Sequence, residues 1–287
     1  MDRRQIEYFL AVADVGGFTR ASVELRIAQP TLSQAIAALE RELSTPLFHR
    51  LGRTVRLTSA GEALREPARQ VLRDFAVAQE SVAEIRGLAA GRLDIAAIPT
   101  LAHELSGLLG TYRKLHPAIA ICCPELEAGG SVETTVSSGL CEVGLTELPT
   151  TAVGLVEHEM GQQPFHLALP PGAKGRSAFP LTRFGELEFV ATPIGTSSRA
   201  RLDEAFSHSN DGRRVIAVET GHRDALIALV LAGAGAAFLP QPMAAQARQL
   251  GATVVPTVPV IRRPFGLIHR AAPLSPAALA FVTAGRQ

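Results

Sequence analysis

The feature that most constrains the fold of this chain is a regular apolar stripe between residues 64 and 89. Its members alternate steps of four and three residues: Leu64, Ala68, Val71, Phe75, Ala78, Val82, Ile85 and Ala89. This spacing places one apolar seam along a long helix, and such a seam needs a second helix to cover it. The pattern predicts a dimer, with packing of the stripe on the chain's own core as the alternative.

The start of this long helix is marked by a capping box. Ser59 and Glu62 have the S-x-x-E spacing at which the two side chains satisfy free backbone donors of a first helical turn. Pro67 falls inside the predicted helix, where we expect a kink rather than a break because it lies near the N-terminal turns.

Three shorter helices are predicted before it. Apolar residues from Gln5 to Val15 share one helical face, and the glycines at 16 and 17 end that helix. A second helix spans Thr19 to Leu25 and a turn covers residues 26–30, with Pro30 suited to a first helical turn. The third helix then points four leucine and isoleucine side chains inward: Leu32, Ile36, Leu39 and Leu43.

A small hairpin, or wing, is predicted after the third helix, over residues 50–57 with its turn at Gly52. The net charge of the whole chain is only +1, yet residues 41–56 contain Arg41, Arg50, Arg53 and Arg56. Local charge matters more to nucleic-acid binding than total charge. Two helices, a turn, a helix and a wing form an order typical of DNA-binding domains.

From residue 91 the pattern changes to alternating strands and helices. Strands are predicted at 92–98, 119–126 and 143–145, with helices at 103–115 and 131–138 between them. A second set has strands at 165–169, 188–191 and 214–218 and helices after Thr196 and His222. A return strand at 260–268 and a closing helix at 276–283 complete the chain. This alternation predicts βαβ organisation and a parallel sheet.

The N-terminal residues resemble LysR-type transcriptional regulators. The resemblance is carried by Phe9-Leu10-Ala11-Val12-Ala13, Phe18-Thr19-Arg20-Ala21-Ser22, Leu25, Gln29-Pro30-Thr31-Leu32-Ser33, Ile36, Leu39-Glu40, Leu43, Pro46-Leu47-Phe48, Arg50, Arg53 and Leu57-Thr58-Ser59-Ala60-Gly61. It continues more faintly through residues 139–145 and 231–240. The sequence departs from the family's pattern at Gly17, where serine often caps the second helix, at Ser44, a common glycine, and at Ala37 and Ala38, where basic residues are frequent.

The resemblance implies an all-α winged helix-turn-helix, a linker coiled coil, and an α/β effector domain of two Rossmann-like lobes, similar to type 2 periplasmic-binding proteins. The expected boundaries are 1–58 for the DNA-binding domain, with its helix-turn-helix at about 18–37, and 59–90 for the linker. The effector domain takes 91–287, with lobe I at 91–161 and 265–287 and lobe II at 162–264. A homodimer, usually assembled into a homotetramer, is also implied.

Double-stranded DNA is the expected macromolecular partner. A recognition helix meets base edges with its N-terminal residues, and Gln34 is the strongest candidate because glutamine can offer a donor and an acceptor to adenine. Arg50 and Arg53 on the wing are expected in a minor groove. The alternatives are ordinary surface charge, or an ion pair from Arg50 to Glu40 or Glu42. The complete candidate set is Thr19, Arg20, Gln29, Pro30, Thr31, Ser33, Gln34, Arg50 and Arg53.

A small-molecule effector is the second expected partner. In two-lobed α/β domains ligands lie at the carboxyl ends of strands, where helix N-termini present free N–H groups. Hydroxyl groups there suit a small organic anion, and Arg199 is a candidate partner for a carboxylate. Simple helix capping is the alternative role of Thr100 and Ser197. The candidate set is Pro99, Thr100, Leu101, Glu147, Ser197, Ser198, Arg199, Thr220 and Gly221.

Other classes of function have weaker support. No run of about 18 uncharged apolar residues occurs and the first residues lack the pattern of a signal peptide, so no membrane association and a cytoplasmic location are expected. No catalytic constellation, cofactor motif or metal site emerges, which argues against an enzyme. A thiol sensor remains an alternative, although Cys122, Cys123 and Cys141 are expected to be reduced and mostly buried. The other alternative is a solute-binding protein or small-molecule enzyme whose N-terminal helices only mediate assembly.

Overall fold

The computed structural model describes residues 1–51, 54–85, 91–126, 130–173, 177–210 and 212–286. Its N-terminal unit contains α1 Arg3–Val15, α2 Phe18–Glu24, α3 Gln29–Glu42, β1 Phe48–Leu51 and β2 Thr54–Leu57. The two strands pair antiparallel, with Phe48 opposite Leu57. The helix-turn-helix with a wing that the sequence predicts is therefore present, while Gly52 and Arg53 at its turn lie outside the described residues.

One apolar core holds the N-terminal unit together. Leu32, Ile36 and Leu39 of α3 are fully buried against Phe9 of α1. The ring of Phe48 lies 5.5 Å from that of Phe9, so the wing is packed on the helices. The prediction that Leu43 points inward is wrong, since α3 ends at Glu42 and Leu43, which caps it, is 37% exposed.

The end of α3 forces a serine into a left-handed conformation. Ser44 has φ of +53°, its N–H donates to the carbonyl of Arg41, and the N–H of Thr45 donates to that of Glu40. These paired bonds form a Schellman motif, which favours glycine at the left-handed position because a Cβ is strained there.

We expect Ser44→Gly to raise the free energy of unfolding of the N-terminal unit by about 0.5–1 kcal/mol, because it removes this strain. Gly16, with φ of +69° and no heavy atom within 4 Å of a built Cβ, provides the reverse control. Gly16→Ala should lower stability by about 1 kcal/mol. Urea titration of both variants measures the effects, and equal stability of Ser44→Gly and the parent would contradict the expectation.

Helix α4, Ser59–Ile85, follows the wing directly and continues through Pro67. The predicted cap is wrong by one residue: Thr58 Oγ1, not Ser59, accepts a hydrogen bond from the N–H of Gly61 at 3.1 Å. Ser59 already lies inside the helix, and the hydroxyl of Thr58 also donates to the carbonyl of Pro46 at 2.7 Å. The cap therefore also fixes the start of α4 to the wing.

The apolar stripe on α4 has two parts. Leu64, Ala68 and Val71 pack against the N-terminal core, as the alternative interpretation required. Phe75 is 46% exposed, with the guanidinium of Arg3 at 6.0 Å from its ring centre, and Val82 is 60% exposed. No apolar core of the described chain includes this part of the stripe.

The C-terminal part forms two lobes. Lobe I begins with β3 Gly91–Ala97, a single-turn 3₁₀ helix Pro99–Leu101, α5 Ala102–Leu115, β4 Ile119–Cys122, α6 Val132–Ser137 and β5 Val143–Glu147. Strand β3 pairs parallel with β4 and with β5, the βαβ arrangement that the sequence predicts. Helix α5 packs on this sheet through Leu105 and Tyr112.

Strand β6, Leu155–Leu169, leads from lobe I into lobe II. Lobe II continues with β7 Phe179–Pro180, a 3₁₀ helix Leu181–Glu186, β8 Glu188–Ala191, α7 Ser197–Ser207, β9 Val215–Glu219, α8 Ala225–Leu231, β10 Ala237–Pro240, α9 Gln241–Gln249 and β11 Thr253–Val258. Its core centres on Phe184, whose ring contacts those of Phe179, Phe189, Phe206 and Phe238.

Strand β12, Arg262–Arg270, returns the chain to lobe I and α10, Pro276–Gly285, closes it. Strand β12 pairs antiparallel with both β5 and β6. The two lobes are thus joined through two neighbouring strands, β6 and β12. None of the described helices combines the length and the hydropathy needed to cross a bilayer.

Candidate functional site

The first candidate surface is formed where α2 and α3 begin. Thr19 Oγ1 donates to Gln29 Oε1 at 3.5 Å, which places the two helix N-termini side by side. Neither helix has an acidic residue in its first turn. Six of the predicted DNA-binding side chains are exposed and Ser33 is half-buried. The exposed ones are Thr19, Arg20, Gln29, Pro30, Thr31 and Gln34.

This surface is the outer side of a firmly packed helix. Leu32, Ile36 and Leu39 fix the opposite face of α3 in the core, so Gln34 is held outward on a rigid element. Free N–H groups at a helix N-terminus, together with hydroxyl, amide and guanidinium groups, suit phosphate oxygens and base edges.

The wing is attached to α3 through a carboxylate. Glu40 Oε1 accepts hydrogen bonds from the N–H groups of Leu47 at 2.8 Å and Phe48 at 3.2 Å. Glu42 accepts from the amino terminus of Met1. Glu40 and Glu42, the predicted alternative ion-pair partners of Arg50, therefore both have other partners. The side chain of Arg50 and the whole of Arg53 lie outside the described residues.

The second candidate site is a cleft of about 790 Å³ between the lobes. Four of the predicted ligand residues line it: Pro99, Glu147, Ser197 and Gly221. Further lining comes from hydroxyl groups on both lobes, which include Ser131, Thr146, Thr192 and Thr196. The carboxyl end of β5 and the N-terminus of α7 meet here, as the strand and helix pattern indicated.

The other predicted ligand residues lie elsewhere. Leu101 is fully buried in the core of lobe I, and Thr100 and Ser198 are also buried. Thr100 Oγ1 lies 3.4 Å from Ser197 Oγ, so it joins the lobes beside the cleft. Thr220 Oγ1 accepts from the N–H of His222 at 3.1 Å and is not part of the cleft lining.

Arg199 is not brought into the cleft, and Arg201 is. The guanidinium of Arg199 bonds to Asp203 at 3.3 Å and to Glu219 at 2.9 Å. Positions 199 and 201 are about 200° apart around a helix, so only one of them can face the cleft. Neither type nor spacing distinguishes them in the sequence, because both are arginines two residues apart.

Besides Arg201, three charged residues of the cleft were missed by sequence reasoning, Glu133, Asp203 and Arg223. Burial lowers the pKa of Arg223 to about 10, which leaves it positively charged at neutral pH. Burial raises the pKa of Glu147, and the nearby Arg201 opposes that shift. The sequence carried no signal for Arg223, which stands outside any motif.

Cys123 and Cys141 do not have the environment of sensor thiols. Cys141 is buried, but Cys122 is only half-buried and Cys123 is exposed, so the expectation of mostly buried thiols is wrong for Cys123. Burial raises the pKa of Cys141 to about 12. Partial desolvation, together with the charges of Cys122 and Asp94, also raises the pKa of Cys123. Reactive thiols need a lowered pKa. Among the described residues, no group of three or more His, Cys, Asp or Glu could hold a metal ion.

A winged helix-turn-helix, a long helix with an exposed apolar stripe and a two-lobed domain with an inter-lobe cleft are the parts of a transcription regulator with a DNA-binding and an effector-binding domain. Residues 3–62 match the family described as bacterial regulatory helix-turn-helix protein, lysR family, and residues 86–287 match the LysR substrate binding domain. The chain belongs to the LysR family of transcriptional regulators.

Two relatives align with most of the chain. The chain is 29% identical to the nitrogen assimilation regulatory protein nac of Klebsiella aerogenes, over 85% of this chain and 80% of that protein. It is 28% identical to the HTH-type transcriptional regulator IlvY of Escherichia coli, over 84% and 82%. These relatives are transcription regulators and not enzymes.

Two solved structures are similar to this chain over its whole length. Full-length CbnR complexed with its target DNA is 26% identical and covers 100% of this chain and 99% of that one, with a TM-score of 0.69. ArgP from Mycobacterium tuberculosis shares the fold at 18% identity, with coverage of 100% and 96% and a TM-score of 0.71.

Proposed function

We propose that this regulator binds inverted-repeat operator DNA as a dimer or tetramer, and that a small organic anion in the inter-lobe cleft modulates it. The observation that carries the DNA part is the polar N-terminus of α3, exposed beside that of α2 while its apolar face is buried. The proposed domains are residues 1–58, 59–90 and 91–287.

The N-terminus of α3 is proposed to enter a major groove. Gln34, Thr31 and Gln29 then face base edges, while Ser33 serves a base or a phosphate. Thr19 and Arg20 at α2 contact phosphate, which fixes register without reading sequence. Arg50 and Arg53 reach a minor groove from the wing. The complex of CbnR with its target DNA supports this docking, since that protein matches the whole chain.

Pairing of two chains is inferred from the uncovered stripe on α4. Phe75 and Val82 would pack against the same residues of a second copy, because a two-fold interface uses one surface on both subunits. A symmetric dimer recognises a symmetric operator, so the half-sites form an inverted repeat.

The cleft is proposed to bind the effector. On the lobe II side, Arg223 and the N-terminus of α7 supply donors that suit a carboxylate group of the ligand. The raised pKa values of Cys123 and Cys141 disfavour the thiol-sensor alternative.

The DNA part is tested by an electrophoretic mobility assay with the DNA upstream of the chain's own gene. Retardation that weakens steeply with salt is expected, because bound arginines release counterions from phosphates. No retardation of that DNA or of genomic fragments in dilute buffer would overturn the proposal.

A thermal-shift screen of small carboxylates tests the cleft, since a ligand that binds only the folded state raises its melting temperature.

We expect Gln34→Ala to relax sequence preference at one base per half-site, with a loss of about 1–3 kcal/mol of discrimination there. Arg20→Ala is the matched control: it should lower affinity for all sequences and leave the preferred motif unchanged. Binding-site selection with each variant makes the comparison. An unchanged motif for Gln34→Ala would exclude the proposed role of that side chain.

A further inference from the structure

The two walls of the inter-lobe cleft carry opposite charges with unused bonding capacity. Arg223 lies on the wall formed by lobe II, and Glu133 and Glu147 lie on the wall formed by lobe I. The class of ligand inferred from these charges rests on the proposed function of the cleft as the effector site.

Arg223 offers a free cationic donor. Its Nη2 atom is buried and has no hydrogen-bond partner within the described parts of the chain. The one neighbouring charge that counters its burial is that of Asp224, next to it in the sequence. A planar guanidinium in this state suits a carboxylate, which it can bind through two parallel hydrogen bonds.

The start of α7 adds to the same wall. Thr196 caps this helix of 11 residues through a hydrogen bond from the N–H of Arg199, and Ser197 lines the cleft. The acid on this wall, Asp203, is already paired with Arg199 at 3.3 Å. Lobe II therefore presents positive charge and donors.

The wall of lobe I offers acceptors. Glu147 Oε1 is buried and has no hydrogen-bond partner among the described residues. Arg201 Nε stands 3.7 Å from Glu147 Oε2, too far for a hydrogen bond, and Arg201 Nη1 is instead bonded to Glu204 at 2.7 Å. Glu133 lines the cleft beside it and accepts from Thr146 Oγ1 at 3.0 Å. Two carboxylates with remaining acceptor capacity suit a protonated amine.

We propose that the ligand is a small zwitterion of the free amino acid class, bound across the cleft with its carboxylate on Arg223 and its ammonium group on Glu147. Ile98, Leu126 and Pro193 supply apolar lining for its hydrocarbon part. A ligand held at both ends would draw lobe I and lobe II together. A simple organic anion would leave Glu147 Oε1 without a hydrogen-bond donor, and a buried acceptor without a donor weakens binding.

The full-length protein is tested by thermal shift with each proteinogenic amino acid alone. The most stabilising one is then compared by calorimetry with its des-amino carboxylate and its decarboxylated amine. We expect the amino acid to bind at least about tenfold more tightly than either analogue, the scale of one charge-assisted hydrogen bond. Glu147→Gln should abolish the preference over the carboxylate, and Arg223→Gln the preference over the amine. Glu188→Gln and Arg183→Gln, both outside the cleft lining, should leave both preferences unchanged.

Equal or tighter binding of the des-amino carboxylate would overturn the zwitterion and leave an anion sensor. Absence of stabilisation by every amino acid would also overturn it, whatever other compounds bind. Neither result affects DNA binding, which is measured separately by mobility shift with the unliganded protein. Preferences that persist in Glu147→Gln and Arg223→Gln would assign the ligand to other residues.

Discussion

A chain that carries both Phe75→Glu and Val82→Glu should be monomeric and should bind its operator roughly 100-fold more weakly than the parent. The two side chains are 46% and 60% exposed on α4 and continue a stripe whose earlier members are packed. In the dimer, the glutamates of the two chains would face each other and place like charges in the apolar seam of the coiled coil. Loss of the second binding unit removes the gain from linked half-sites, which commonly reaches a factor of about 10²–10⁴.

The matched control is Ala76→Glu, one position beyond Phe75 and about 100° around the helix from it. Ala76 is exposed, and a glutamate there should leave the dimer intact. Analytical ultracentrifugation gives the assembly and fluorescence anisotropy gives the affinity for operator DNA. A double variant that remains dimeric and binds like the parent would show that the dimer uses another surface.

The second large effect is expected from Gly61→Val, which should lower the free energy of unfolding of the N-terminal unit by about 3 kcal/mol. A Cβ at position 61 would stand 2.3 Å from the carbonyl oxygen of Leu47 and 2.8 Å from Leu57 Cδ2. The Leu47 carbonyl cannot withdraw freely, since it accepts the N–H of Thr58 at 2.9 Å. Gly61 therefore permits the close contact between α4 and the wing, and DNA binding should fall with stability.

Gly107 is the matched control. It also lies in a helix, α5, but no heavy atom comes within 4 Å of its built Cβ, so a side chain there has room. Gly107→Ala should stabilise lobe I by about 0.5–1 kcal/mol through helix propensity alone. Chemical denaturation of the two variants compares them directly. If Gly61→Val were as stable as the parent, the described contact with Leu47 would have to be wrong.

Apolar periodicity predicted the fold well where a helix or strand has one buried face. The faces of α1 and α3 follow from the spacing of residues such as Phe9, Leu32 and Ile36, and strand β8 at 188–191 was located from its run of apolar residues. These elements depend on a local apolar pattern, which the sequence shows directly.

Sequence reasoning missed features that depend on neighbours distant in the chain. Thr58 rather than Ser59 caps α4 because its hydroxyl also meets Pro46 across the wing. Residues 237–258 form β10, α9 and β11, which no local pattern predicts; buried Ala237–Pro240, for example, is a short apolar run without alternation. The candidate ligand residues depended on helix phase, which placed Arg201 rather than Arg199 in the cleft.

Contacts between the linker helix and lobe I were equally invisible in the sequence. Arg73 of α4 lies so close to Gly139 that a built Cβ there would stand 1.6 Å from Arg73 Nη2. Burial lowers the pKa of Arg73 to about 10, and the charge of Arg270 contributes to the same shift. The place of Arg73 in the middle of an amphipathic helix does not indicate which distant segment its side chain contacts.

The central claim is that two copies of α3 bind one operator. Selection of binding sites from random duplex DNA with the full-length protein tests it, because the enriched sequence shows how many half-sites are bound. We expect an enriched inverted repeat whose half-sites are separated by about one helical turn or a multiple of it. Recovery of no enriched sequence, or of a single unpaired site, would contradict the idea that two copies of α3 read DNA together.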